Sequence, residues 1–267
     1  MNTMFYYLNI VAGLCHATIT INGFPLENSE INYNNYNNQF LLNEFLIGKN
    51  NLLIIEVSFA SEQDIALIKS FQINGTLKQF FEGDVVTPED GKIIPLTKIV
   101  GSETKEVSSI GFGDEDINIE EKFIRLQYSF DNDKYNYSHL FCGNPININK
   151  DQLTNYGQKL INLFIQKDTY GFYNEYRNKA NDMAIARGKT LKEVEPVVLE
   201  LIEQAMRQGL IRIPEQINVR SWCNDRIFEL YVLPDRNLIT TREDSDGMDF
   251  DLPVFITLIN DKLKIIR

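Results

Sequence analysis

The chain of 267 residues has two histidines, three cysteines, one tryptophan and no lysine or arginine before Lys49. Each scarcity excludes something. Imidazole is the usual general base and zinc ligand. His16 and His139 stand far apart, outside zinc-ligand spacing, so structural or surface roles are expected of both. Cys15, Cys142 and Cys223 are odd in number and form no CxxC pair, which reads as buried or free thiols in a reducing, cytoplasmic setting. Residues 5–17 are mildly apolar and end in Cys-His-Ala, yet the positive stretch of a signal peptide is missing, so a mature first strand is expected there. No apolar run reaches the length of a membrane span. No GxSxG elbow occurs, and Cys223 after Trp222 reads as a packed thiol.

What is present describes an ordinary soluble globule: 43% hydrophobic and 24% charged residues. The length suffices for two domains with a core that needs no disulfide. The net charge is −11 and uneven. Residues 1–150 carry 10 Lys+Arg against 19 Asp+Glu, and residues 151–267 carry 16 against 18. Such a surface repels phosphate backbones and anionic lipid, so nucleic acid and membrane are excluded as partners and a basic protein is favoured.

The final stretch, residues 252–266, sets the architecture. Val254, Ile256 and Leu258 alternate with Phe255, Thr257 and Ile259, Asn260-Asp261 follows, and Leu263, Ile265 and Ile266 complete a hairpin. Strand patterns also fill residues 5–11, 17–21, 52–57, 65–73, 77–81 and 123–130, with turns at Asn22-Gly23, 48–51 and 89–91. Residues 32–38 (NYNNYNN) read as an exposed loop and 41–57 as largely extended. The period changes at 143–149, giving a boundary between 1–146 and 150–267. Asp151 reads as the N-cap of a first helix carrying Leu153, Tyr156, Leu160, Leu163 and Phe164 on one face. A second helix starts at Phe172, Tyr173 and Tyr176 and stops at Gly188. Thr190 with Glu193 forms a capping box for a third, which Gly209 ends, with Pro196 predicting a kink or a later start. Strands over 217–223, 227–233 and 238–241 precede the hairpin.

The segments ITINGFPL (19–26) and NEFLIGKNNLLIIEV (43–57) resemble the jelly-roll β-sandwich of galactose-binding-like modules. That resemblance implies the fold and, in the carbohydrate-binding members, a sugar site whose residues have no counterpart placed here. Residues 150–267 are similar to NTF2-like α+β domains in element order and in the closing LPVFITLINDKLKII. The resemblance implies helices over a curved antiparallel sheet, with a cone that serves as a pocket or a dimer surface. The expected fold class is multi-domain: an all-β sandwich, then an α+β NTF2-like domain of three helices and a curved antiparallel sheet.

Several segments imitate chemistry. Gly188-Lys189-Thr190 resembles the end of a phosphate loop, but Met183 stands where the first glycine is needed. Gly111-Phe112-Gly113 lacks the third glycine and the helix of a dinucleotide site. Glu243, Asp244, Asp246, Asp249 and Asp251 offer oxygens of the type that suits calcium, without EF-hand spacing. An exposed turn is preferred, and no metal or cofactor is assigned. Asp114, Glu115, Asp116, Glu120 and Glu121 make a second acidic loop. Both acidic runs are the expected docking residues for a basic partner. Tyr170 and Tyr173, beside Phe172, Tyr176 and Arg177, are candidates for a pocket or interface. The leading expectation is a bacterial, non-enzymatic protein-binding protein, of the kind that masks a basic toxin or nuclease as an immunity-type inhibitor. The alternatives are a carbohydrate or small-molecule binder using the sandwich or the cone, and an enzyme with a carboxylate base in the cone.

Overall fold

Alternating apolar residues divide the strands of the first half into an inner and an outer face. The computed structural model describes residues 3–13, 15–31, 36–58, 73–87, 89–111, 116–118, 123–233, 236–243 and 247–267. The chain forms two compact units, Met1–Phe141 and Cys142–Arg267. In unit 1 the described strands are β1 (Met4–Ala12), β2 (Cys15–Ile21), β3 (Phe24–Ile31), β4 (Tyr36–Leu41), β5 (Asn51–Ser58) and β6 (Ile73–Phe81). They continue with β7 (Lys92–Ile93), β8 (Leu96–Val100), β9 (Glu103–Val107), β10 (Ile117–Asn118) and β11 (Phe123–Phe130). One sheet has the order β4-β1-β6-β7, the other β3-β2-β5-β11-β8-β9 with β10 against β11. The pair is sandwich-like. Strand β1 buries Tyr6, Leu8, Ile10 and Ala12, β5 buries Leu53, Ile55 and Val57, and β11 buries Ile124, Leu126 and Tyr128. Period-two alternation of this kind gives each strand one apolar face.

Buried asparagines tie the connections of unit 1 to its strands. Asn51 Nδ2 donates to the carbonyls of Gly48 (2.9 Å) and Phe130 (3.1 Å). Its Oδ1 accepts from the Ile47 N–H (2.7 Å) and from Asn22 Nδ2 (3.2 Å). Asn43 sits in a 3-10 turn, Asn43–Phe45, where sequence alone predicts extended chain. Its side chain accepts from the Tyr6 N–H and donates to the Met4 carbonyl, so the turn serves as a clip on β1. The asparagine-rich loop at 32–38 is also shorter than expected. Tyr36, Asn37 and Asn38 pair with β1 as part of β4, and residues 32–35 lie outside the described residues, as do 65–72.

Unit 2 places three helices on a sheet. Helix α1 (Lys150–Ile165) is capped by Asn149 rather than Asp151. The Asn149 side chain accepts from the Gln152 N–H, and Gln152 reaches back to the Asn149 N–H, a reciprocal box that a cap at Asp151 would not close. Helix α2 (Thr169–Ala186) is capped by Asp168. Helix α3 (Leu191–Gln208) starts after Thr190, whose N–H and hydroxyl both meet the Glu193 carboxylate at 2.7 Å. Pro196 lies within α3 and does not delay its start.

The strands are β12 (Asn218–Trp222), β13 (Ile227–Val232), β14 (Arg236–Asn237), β15 (Ile239–Thr240), β16 (Asp251–Leu252), β17 (Val254–Ile259) and β18 (Lys262–Ile265). The main order is β12-β13-β17-β18, with β14 on β13 and β15 pairing β16 separately. Asn260 and Asp261 join β17 to β18 at φ of 49° and 58°, the left-handed turn that matches strand twist. Leu160, Phe164 and Phe172 of the helices share one core with Leu230, Ile256 and Ile265 of the sheet. Gly157 permits this approach, because a Cβ there would come within 2.9 Å of Ile217.

Replacing Asn51 by alanine removes the bond to the Ile47 N–H and the side-chain donor to the Phe130 carbonyl, while the Gly48 carbonyl keeps its bonds from Asn132. Unfolding in urea is expected to show a loss of about 3 kcal/mol, since each unsatisfied buried group costs roughly 1–3 kcal/mol. A loss within experimental error contradicts this role of Asn51.

Candidate functional site

The two acidic runs behave differently from one another and from expectation. Asp114, Glu115, Glu120 and Glu121 lie outside the described residues. Asp116 is described and is not a surface carboxylate: its side chain is 3% exposed and meets Lys98 Nζ at 2.6 Å. A buried carboxylate needs a paired cation, so this residue leaves the docking set. In the second run, Asp244 and Asp246 lie outside the described residues, while Glu243, Asp249 and Asp251 are exposed. Asp251 accepts a hydrogen bond from the Thr240 hydroxyl. Among the described residues no group of three or more His, Cys, Asp or Glu side chains is placed to hold a metal ion. Tyr170 is 71% exposed, whereas Tyr173 is buried in the core, so of the two only Tyr170 presents its ring at the surface. Burial and then the Glu195 carboxylate push the Tyr173 phenol up to about 12. Cys223 is buried, and that burial raises its thiol to about 12.

Two features that the sequence reading passed over stand out. The first is the segment 81–93, the connection from β6 to β7 with its flanking strand ends, of which Pro88 lies outside the described residues. Among the described residues of unit 1, the exposed large apolar side chains are Val11, Phe81, Val85, Val86 and Ile93. Val85 and Val86 lie in the connection, Phe81 and Ile93 lie at the strand ends that flank it, and Val85 is 72% exposed. Glu82, Asp84, Glu89 and Asp90 are exposed beside them, against a single lysine, Lys92.

This display is held in shape from behind. Asp84 closes a turn by accepting from the Phe81 N–H and donating its own N–H to the Phe81 carbonyl. The Thr87 hydroxyl donates to the Asp90 carboxylate at 2.8 Å. Buried Lys78 donates to the Asp90 carbonyl at 2.8 Å. Glu82 accepts from the Thr3 hydroxyl at 3.0 Å. Gly91, at φ 86°, lies under the Phe80 ring, where a Cβ would come within 2.6 Å of it. A segment with its backbone ordered in this way loses little further entropy on binding. The sequence signal was available: apolar residues that fit neither strand nor helix period, mixed with acids between two strands.

The second feature is a cleft of about 820 Å³ in unit 2, at the edge strand β18. Its floor is Glu175 of α2, 8% exposed. Three donors converge on that carboxylate from two other elements. The Tyr156 hydroxyl of α1 donates to Oε2 at 2.8 Å and Lys159 Nζ to Oε1 at 2.8 Å. Lys264 Nζ of β18 donates to Oε2 at 3.2 Å. Burial alone would raise the Glu175 pKa. The bonds from Lys159, Tyr156 and Lys264 together outweigh it and hold the carboxyl below its usual value of 4.5. Such a group stays ionised and has its lone pairs engaged, the opposite of a poised general base. The missed signal was a glutamate three residues after Phe172, on the apolar stripe of α2.

The chain matches no family model, no curated protein and no solved structure. Among the described residues no helix is long and apolar enough to cross a membrane.

The Glu175 arrangement has a defined pH signature. A carboxyl whose folded pKa is depressed contributes stability that is fully present above its unfolded pKa and is lost as pH falls through the folded one. The stability difference between wild type and Glu175→Gln is therefore expected to be constant near neutrality and to shrink below about pH 4.5. Urea unfolding at pH 7, 5 and 3.5 measures it; a difference that stays constant to the lowest pH contradicts the assignment.

Proposed function

We propose that the protein is a non-enzymatic protein-binding protein that docks a basic partner through residues 81–93 of unit 1. The observation that carries this reading is the coincidence of exposed Phe81, Val85, Val86 and Ile93 with exposed Glu82, Asp84, Glu89 and Asp90 on a connection held in place by hydrogen bonds. Apolar side chains supply the desolvated centre of a protein interface and charges supply its rim and its steering. The balance of 10 Lys+Arg against 19 Asp+Glu over residues 1–150 supports the same sign of partner. Glu243, Asp249 and Asp251, with exposed Tyr170, remain secondary contacts of the same chemistry.

An immunity-type inhibitor of a basic toxin or nuclease is the specific form of this proposal. Such an inhibitor acts by occluding the partner's surface, which needs shape and charge and no catalytic group. The jelly-roll and NTF2-like resemblances are retained within the proposal as the folds of the two units. A sandwich-like pair of sheets supports the first, and three helices against an antiparallel sheet support the second.

The test is capture from host lysate at low and at moderate salt, with wild type and with the double variant Val85→Ser/Glu89→Lys. Neither side chain takes part in the hydrogen bonds that shape the connection, so the variant is expected to fold. One basic partner, bound in stoichiometric amount by wild type and weakened about tenfold or more by the double change, is the expected result. Capture of the same protein by both, or no stoichiometric partner at either salt, overturns the reading.

A further inference from the structure

We propose that the cleft of unit 2 binds a small organic anion, its carboxylate or phosphate head on Lys159 and Lys264 and its short body against Leu258 and Leu263. The inference rests on unit 2 and not on the loop of unit 1.

The argument starts from the number of cations gathered on one anion. A buried carboxylate is neutralised by one partner, and Glu175 has two, Lys159 on one oxygen and Lys264 on the other. Lys262 adds an exposed ammonium to the cleft, and Asp261 adds a carboxylate. Three lysines against two acids leave the cleft net positive in a chain whose net charge is −11. This local reversal of sign is a property that folding stability does not require.

The donors are also incompletely used. An ammonium has three N–H donors. Lys159 gives one to Glu175 and is half exposed. Lys264 gives one to Glu175 and one, at 3.3 Å, to the Asn174 carbonyl. Both residues line the cleft, so the unused donors of two ammonium groups, each held by one oxygen of the same carboxylate, are available to an incoming anion. Glu175 orients both heads before the ligand arrives, which lowers the entropy cost of binding.

A cation is disfavoured at the same place. Glu175 Oε1 is taken by Lys159, and Oε2 by Tyr156 and Lys264, so a metal ion would have to displace charge-assisted bonds to reach a lone pair. The volume, about 820 Å³, lies in the range of small-molecule sites. Leu258 and Leu263, half-buried on the hairpin, supply an apolar wall, and the amides of Gln152 and Asn155 supply neutral polar contacts. Gln152 belongs to the first turn of α1, whose helix dipole adds a further favourable potential for an anion.

Methyl NMR of the full chain, reading Leu258 and Leu263, tests the site. The probes are butyrate, inorganic phosphate and, as a neutral control, butyramide. Saturable shifts with butyrate assign carboxylic acids as the class, and saturable shifts with phosphate assign phosphate esters. Lys159→Gln and Lys262→Gln are each expected to weaken the responding anion by about tenfold, the lower end of the range for a charged donor. Lys262 stands outside the Glu175 bonds, so its variant keeps the fold and the test remains decisive. Three results overturn the proposal: neither anion saturates, butyramide gives the same shifts, or both variants bind as wild type does.

Discussion

A carboxylate almost wholly out of water must be met by donors, and unit 2 is arranged to meet Glu175. The residue lies on α2, yet its partners come from α1 and β18. Tyr156 and Lys159 reach it because they are three residues apart on α1 and so share a face. Lys264 reaches it because the left-handed Asn260-Asp261 turn fixes the register in which Thr257 opposes Lys264. A slip of one residue would turn Lys264 to the other side of the sheet and leave an ionised group half-satisfied. The helix faces, the hairpin register and the charge therefore constrain one another. Arg267 repeats the theme at smaller scale, with its buried guanidinium on Asp182 of α2 at 3.1 Å.

Unit 1 uses neutral amides where unit 2 uses charge. Asn43 and Asn51 are fully buried, and they bond backbone groups of β1, of β11 and of the turn at 47–48, Asn51 also meeting the Asn22 side chain. An amide has donors on one atom and acceptor lone pairs on the other, so a single side chain can close both ends of an irregular turn. This is a tertiary use of a residue type that local rules assign to loops. It explains why NEFLIGKNN contains one residue that is an ordinary turn former and two whose roles depend on strands far away in sequence.

The legible parts of the fold are those set by neighbours within about four residues. The alternation of 123–130, the Asn-Gly and Asn-Asp hairpins, the Thr190–Glu193 box and the helix ends at Gly188 and Gly209 all follow from such local chemistry. The sequence places the first helix and sets its cap two residues late, because Asn149 and Asp151 are both competent caps and only the Gln152 partner separates them. The candidate sites were less legible for a physical reason. Composition counts carboxylates without knowing which face water. Asp116 and Glu89 are equivalent in a charge sum, yet one is enclosed with Lys98 and the other is exposed. Exposure of Val85 beside Glu89 and the convergence of two lysines on Glu175 are both tertiary properties, and no periodicity encodes them.

The two surfaces also place opposite demands on the same long-range field. In the proposed docking an acidic chain would draw a basic protein toward residues 81–93, and that steering would weaken as salt shortens the screening length to about 8 Å at physiological ionic strength. The same field would repel the proposed anion from the cleft, and the cations proposed to hold it act only at contact distance. Salt screens the repulsion as well as the attraction, so anion binding should fall less steeply with ionic strength than protein docking. Opposite net signs within one chain are therefore compatible. The charge sum sets how a partner approaches, and the few ammonium groups fixed by Glu175 set what can remain bound.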